Sequence, residues 1–274
     1  MSDKLRLGGM ALRNGLLVHG PTHWSAAVRA KDGSIKVASG RKPDFGARAT
    51  DRVPGVRGVA KLAEAFAVIP LVKRALPEAR LPMQDFRTLG AMGGASLVGQ
   101  ALRRSRGRSV ASEAAVALLS MAPAMLALRG GDLASYHGVE HKSIAAYEQD
   151  SADASAASKE HDRCGSNLVA PMLVSTTAGG AAARAAGLRG PTADAVVGLG
   201  SIAFAVEVFA WSERHSETTL AKALRRPGYE IQRLLGTREP TAEQLEVGRA
   251  ALDEILRVEG APAIDADDAV PSPT

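Results

Sequence analysis

Between Tyr136 and Glu148, in the run YHGVEHKSIAAYE, two of the chain's six histidines and two carboxylates fall close together. Read as a helix of about 100° per residue, the run places His137, Glu140, His141 and Glu148 on one face. Imidazoles at i and i+4 can reach one cation, and a glutamate between them can bind it or act as general base on a metal-bound water. The order His-x-x-Glu-His is that of the inverted zincin motif. Downstream, His161 and the sole cysteine, Cys164, stand in His-Asp-Arg-Cys-Gly, the spacing of a metal-binding turn. His137, His141, His161 and Cys164 together form an N/S ligand set of the kind zinc accepts. Three alternatives stand beside catalysis by a bound metal. The imidazoles could be hydrogen-bonded structural residues, a closed His/Cys set could hold a structural ion, or Cys164 could itself be a nucleophile with a histidine as base.

These side chains need elements to position them. Asp132, after Arg129-Gly130-Gly131, is a candidate N-cap for the helix carrying the His/Glu face. The polar run 149 to 159 (QDSADASAASK) reads as a loop that could fold His161 and Cys164 back over that helix. Upstream, residues 7 to 40 read as extended chain, with a hairpin about Lys31-Asp32-Gly33. Gly8-Gly9 and Gly15 suit a strand whose backbone must approach something closely or bulge. Arg41 to Gly55 is expected to be a loop. Helical patterns then run from Val56, with Pro70 expected to kink or end the first, from Asp85 to Leu102, and from Ser112 to Leu128. Beyond Cys164 come Leu168 to Ala186 and Thr192 to Ser212, then a short basic helix opened by Pro227-Gly228. A last amphipathic helix is capped by Thr241, and a Pro/Ala/Asp-rich tail follows it.

Composition sets the outer limits. At 274 residues, 46% hydrophobic and 4% aromatic, the chain draws its apolar content from small aliphatic side chains, which favours helices. One cysteine excludes an internal disulfide. A net charge of +5 suits an anionic membrane surface or acidic partner and falls short of a nucleic-acid footprint. The N-terminal MSDKLRLGGM has no apolar core of signal-peptide length, so no cleaved targeting segment is expected. Uncharged runs at Leu89–Leu102, Ala114–Leu128, Gly165–Ala183 and Ala195–Ser212, the last broken by Glu207, are short or Gly/Ala-rich for membrane spans. They suit close helix packing in lipid or in water. Four arginines within Arg103–Arg108 could lie against anionic lipid, and a solvated loop is the plainer reading. Glu207, a carboxylate inside an apolar helix, is costly unless paired, ligated or facing water.

Four ordered motifs carry a resemblance. LGGMALRNGLLVHGP with WSAAVRAKDGSI, the Tyr136–Lys142 motif with Tyr147-Glu148, His161–Gly165, and Arg226-Pro227-Gly228 with Gln232, Thr237–Pro240 and Gln244–Val247 resemble the YqhQ-like family, a domain of unknown function numbered 1385, over roughly residues 7 to 257. The resemblance implies a bacterial, membrane-associated protein, sometimes described as a metal-dependent enzyme with no reaction attached. Where that family has Gln, Glu and Arg in its first motif, this chain has Met10, Asn14 and His19.

The sequence therefore predicts an α+β, mostly helical fold: a β-rich segment over 7–55, a helical domain over 56–258 carrying both motifs, and a disordered tail over 259–274. His137, His141, His161 and Cys164 are expected to hold zinc, with Glu140 or Glu148 as base and Glu207 a further carboxylate. The expected reaction is metal-dependent hydrolysis of an unspecified substrate at the cytoplasmic face of a bacterial membrane. The alternatives are a cytoplasmic location and a non-catalytic, membrane-proximal scaffold built on the same residues.

Overall fold

Alternation with a period of two organises the N-terminal sheet. The computed structural model describes residues 4–45, 53, 55–105, 109–129 and 132–261. Four strands, β1 (Gly8–Leu12), β2 (Gly15–His19), β3 (His23–Arg29) and β4 (Ile35–Arg41), form an antiparallel meander in chain order. Leu16, Val18 and Ala27 point to one face, and Leu17, Ala26 and Val28 to the other, all fully or almost fully buried. The expected hairpin at Asp32-Gly33 forms, with Gly33 at φ 85° and the Asp32 carboxylate accepting from the Ser34 N–H at 3.0 Å. The first stretch is itself a hairpin, because Arg13-Asn14 is a two-residue loop that pairs Leu12 with Gly15. A Cβ at Gly15 would lie 2.0 Å from the Ala27 carbonyl oxygen, so β2 and β3 can pair here only around a glycine.

Eight α-helices follow among the described residues: α1 (Val56–Ala75), α2 (Phe86–Ser105), α3 (Val110–Arg129), α4 (Leu133–Glu148), α5 (Val169–Ala185), α6 (Pro191–Arg214), α7 (Thr219–Ile231) and α8 (Ala242–Glu259). Helices α4 and α8 cover one sheet face, where Tyr136 and Val139 meet Val247, Ala251 and Ile255. The end of α1 covers the other, with Val68, Val72 and Leu76 against Leu12, Leu17 and Trp24. Pro70, expected to kink or end the helix, lies inside α1, which runs on to Ala75. The hydrogen bond it removes, a loss of about 3 kcal/mol, is outweighed by full burial of Val68 and Val72 on either side, at about 1.5–3 kcal/mol each. Likewise Pro227 lies within α7, which begins at Thr219, instead of opening it. The N-cap of α7 is Thr218, whose hydroxyl accepts from the Ala221 N–H. Asp132 does stand at the start of α4, yet its side chain makes no cap bond.

Helices α2, α3, α5 and α6 form a second layer of paired apolar helices. Two are long and apolar enough to cross a membrane: Val110–Arg129, and Pro191–Arg214, of whose most apolar window only 11% is buried. Leu97, Leu118, Val174, Val196 and Phe204 are exposed on these helices. At one end of the layer four charges close a ring. Arg103 meets Glu113 at 3.3 Å and Asp194 at 3.1 Å, and Arg184 meets Glu113 at 2.9 Å and Asp194 at 3.1 Å. Of the expected basic loop, 106–108 lie outside the described residues, as do 46–52 and 54 of the Arg41–Gly55 loop and 262–274 of the tail.

Candidate metal centre

The site is built on the exposed-looking but deeply buried face of α4. Its helix is held at both ends by groups far away in the chain. Arg238 N–H donates to the Ala134 carbonyl at 2.9 Å, and the Lys4 ammonium donates to the Tyr147 and Glu148 carbonyls at 2.8 and 2.9 Å. A cation on the last carbonyls also complements the helix dipole. Gly138 allows the chain at 238 to lie directly on α4, since a Cβ there would be 2.3 Å from the Arg238 carbonyl oxygen.

His137 and His141 are neighbours on this face, ring centroids 4.4 Å apart. Each is oriented by a backbone carbonyl: His137 Nδ1 lies 2.8 Å from the Gly236 oxygen, and His141 Nδ1 lies 2.6 Å from the Lys159 oxygen. A carbonyl can only accept, so both rings carry their proton on Nδ1 and present an Nε2 lone pair inward, the arrangement that surrounds metal-binding histidines. His141 Nε2 is buried and has no hydrogen-bond partner. His137 Nε2 lies 3.4 Å from the Cys164 sulfur. The ligand atoms of His137, His141 and Cys164 all lie within 4.8 Å of one another. With zinc bonds of about 2.0–2.3 Å, a tetrahedral ion holds its donors roughly 3.5 Å apart, so the donor set fits such an ion after a small inward movement.

Glu140 completes the floor. Glu140 is buried, and burial pushes its carboxyl up to about 7, opposed by the nearby His137 and aided by Cys164. Gly9 of β1 makes room for it, because a Cβ on Gly9 would sit 2.6 Å from Glu140 Cγ and 2.8 Å from its Oε1. The expected close approach at Gly9 is thus an approach to the site. Burial, and then His137, drive the His141 imidazole down to about 3, so it stays neutral across the physiological range. Burial also raises the Cys164 thiol, with Ser166 opposing. That is the reverse of the lowering an activated thiolate nucleophile needs.

His161 is close by, its ring 5.7 Å from that of His141, but its nitrogens are engaged elsewhere. Nδ1 accepts from the Arg163 N–H at 3.2 Å, which leaves Nε2–H to donate to Glu148 at 3.2 Å. Glu148 also pairs with Arg163. Both expected residues therefore brace the Cys164 turn, outside the three converging donors. Glu207 is remote, on α6, where Arg57 and the Gly55 N–H hold it. Sequence reasoning missed Gln232. It is fully buried, accepts from the His161 N–H at 2.8 Å, and donates to the His161 carbonyl at 3.2 Å and the Ser166 hydroxyl at 2.8 Å. It also missed Lys142, whose buried ammonium donates to the Ser155 and Ala157 carbonyls at 2.9 and 2.7 Å and pairs with Glu239 at 2.6 Å, fixing the polar loop to α4. Gln232 stands in a quoted motif without a role, and Lys142 directly follows His141, so position alone could have drawn attention to both.

A family profile described as protein of unknown function (DUF1385) matches residues 131–258. Over that stretch, which is less than half of the chain, the sequence is similar to this family. No curated protein and no solved structure matches the chain. The DUF1385 stretch contains all three converging donors and Glu148, His161 and Gln232, which brace the Cys164 turn. Gly9, which makes room for Glu140, lies outside it.

Proposed function

We propose that the protein is a membrane-associated metalloprotein in which His137, His141 and Cys164 hold a zinc-type ion and Glu140 is the acid-base group of a hydrolysis. What carries the reading is the convergence of three donors around the unpartnered, buried Nε2 of His141. Three protein ligands leave a tetrahedral ion one open position, as catalytic sites do, whereas structural sites are closed by a fourth. An ion there would supply Lewis acidity and lower the pKa of a bound water toward neutrality. The chain's own part is positional and protonic. Gly236 and Lys159 fix the imidazole tautomers, and Glu148, His161 and Gln232 hold the sulfur in place. Glu140, with its carboxyl near 7, can take up a proton and return it to a leaving group. Membrane association is supported by the two apolar helices and their exposed side chains.

A second reading is favoured by how closed the site is, since His141 is 2% and Glu140 8% exposed. Here Glu140 is the fourth ligand and the ion is structural, part of a scaffold. Cobalt(II) loaded into the purified full chain separates the two. The catalytic reading expects one ion per chain, a sulfur-to-cobalt charge-transfer band lost in Cys164→Ser, and d–d bands that shift when azide is added. Bands that ignore azide in the native chain and respond in Glu140→Gln would establish the closed, structural site. No stoichiometric binding by the native chain would end both readings.

A further inference from the structure

Helix α7 and the π-turn that continues it to Gly236 have three distinct sides. At about 100° per residue, Leu220, Ala223, Pro227, Ile231 and Leu234 gather on one, and Lys222, Arg226, Tyr229 and Arg233 lie opposite. Between them a narrow stripe of Ala221, Gly228 and Gln232 is buried. Apart from Gly236 at the end of the turn, only this stripe is buried against the rest of the chain. The apolar side remains largely open, with Leu220 59% and Leu234 65% exposed. So does the basic side, where the side chains of Lys222, Arg226 and Arg233 are 59%, 78% and 52% exposed. Their partners, Glu217 and Glu230, form surface pairs of the kind that contribute little. Over 219–236 four cations face one carboxylate.

We infer that α7 lies in the plane of a bilayer surface and binds anionic phospholipid. A helix with one open apolar side and one open cationic side is suited to the boundary between headgroups and acyl chains, and the charge excess selects anionic headgroups. Placement supports this occupant. Four residues separate the end of α6 at Arg214 from the start of α7, and α6 is one of the two helices long and apolar enough to span a membrane. Near that end Trp211 stacks on His215, ring centroids 4.9 Å apart, an aromatic pair at the depth where indoles settle in membranes. The buried stripe joins this surface to the metal centre. Gly228 packs on Asn167, where a Cβ would fall 2.2 Å from Oδ1, Arg225 pairs with Asp162 at 3.4 Å, and Gln232 clamps His161 and Ser166. The Cys164 turn thus rests on the lipid-binding helix, and the substrate class it implies for the proposed site is one presented at the membrane surface.

The inference rests on the membrane reading of α6 and is independent of any metal. The full chain is reconstituted into lipid nanodiscs of phosphatidylcholine alone or with phosphatidylglycerol added, and amide exchange is followed over 219–235. Exchange on the order of tenfold slower in the anionic discs is expected, with the difference abolished in Lys222→Glu/Arg226→Glu/Arg233→Glu and in the milder Lys222→Gln/Arg226→Gln/Arg233→Gln. Equal exchange in both discs, slowing that survives both triple variants, or concentration-dependent protection in detergent, which would mean a second copy covers the helix, overturns it. Failure to enter discs of either kind sinks this inference and the membrane reading together, while cobalt binding still decides the metal centre.

Discussion

The histidine pair was legible because its information is local: two imidazoles one turn apart share a face whenever their segment is helical. What aims them was not. Gly236 and Lys159 act through backbone oxygens, and a carbonyl has the same chemistry at every residue, so no letter of the sequence marks it. Gly138 is the exception that leaves a trace, because the approach of the chain at 238 requires the missing Cβ. Gly138→Ala should destabilise the protein by about 1–3 kcal/mol and displace the Gly236 carbonyl from His137. Denaturant titration and cobalt affinity, measured together, check both effects. His19 makes a different prediction. Burial, with Lys42 adding to it, drives its imidazole from 6.5 down to about 4, and its Nδ1 is buried without a partner. Below pH 6.5 the unfolded chain takes up a proton that the folded chain refuses. The stability this neutral residue permits is therefore complete above 6.5 and lost as pH falls toward 4. His19→Leu should flatten that part of the stability curve relative to the native chain, as followed by thermal unfolding between pH 4 and 7.

Elements were read well where periodicity and caps speak for themselves, and less well where tertiary packing overrides a local rule. Thr241 shows the first case. Its hydroxyl accepts from the Gln244 N–H at 3.3 Å while the Gln244 side chain accepts from the Thr241 N–H at 3.1 Å, closing a capping box. Thr241→Ala should cost about 1 kcal/mol in chemical denaturation, and because α8 covers the sheet, the loss should appear in global unfolding instead of local fraying. Pro70 and Pro227 show the second. Local rules place a kink or an end at the first and a helix start at the second, whereas buried valines surround the one and the packing of Gly228 and Gln232 lies beside the other, and both helices run through their prolines. The Arg13-Asn14 loop was passed over by the reading of one continuous extended stretch, because neither loop residue is a glycine and neither adopts a positive φ that would mark a turn.

At the scale of the whole molecule, a sheet-backed half carrying the donors adjoins an apolar helical layer. Composition indicated the helices and their small side chains, but not which faces stay uncovered, since burial depends on neighbours distant in sequence. Leu199, 57% exposed on α6, tests what those faces meet. An arginine at the centre of a span costs about 2.5–3.5 kcal/mol in membrane insertion, so Leu199→Arg should sharply lower the membrane-bound fraction after cell fractionation, whereas an aqueous surface would tolerate it. The ring of Arg103, Glu113, Arg184 and Asp194 adds a consequence of its own. Charges of alternating sign at four corners have no net charge and largely cancelling dipoles, so their field dies away within a short distance. Each corner answers to two others, so neutralising one strands a like-signed opposite pair. Removing an adjacent acid and base together leaves a matched couple. Natural variation at these four positions should therefore come in complementary pairs.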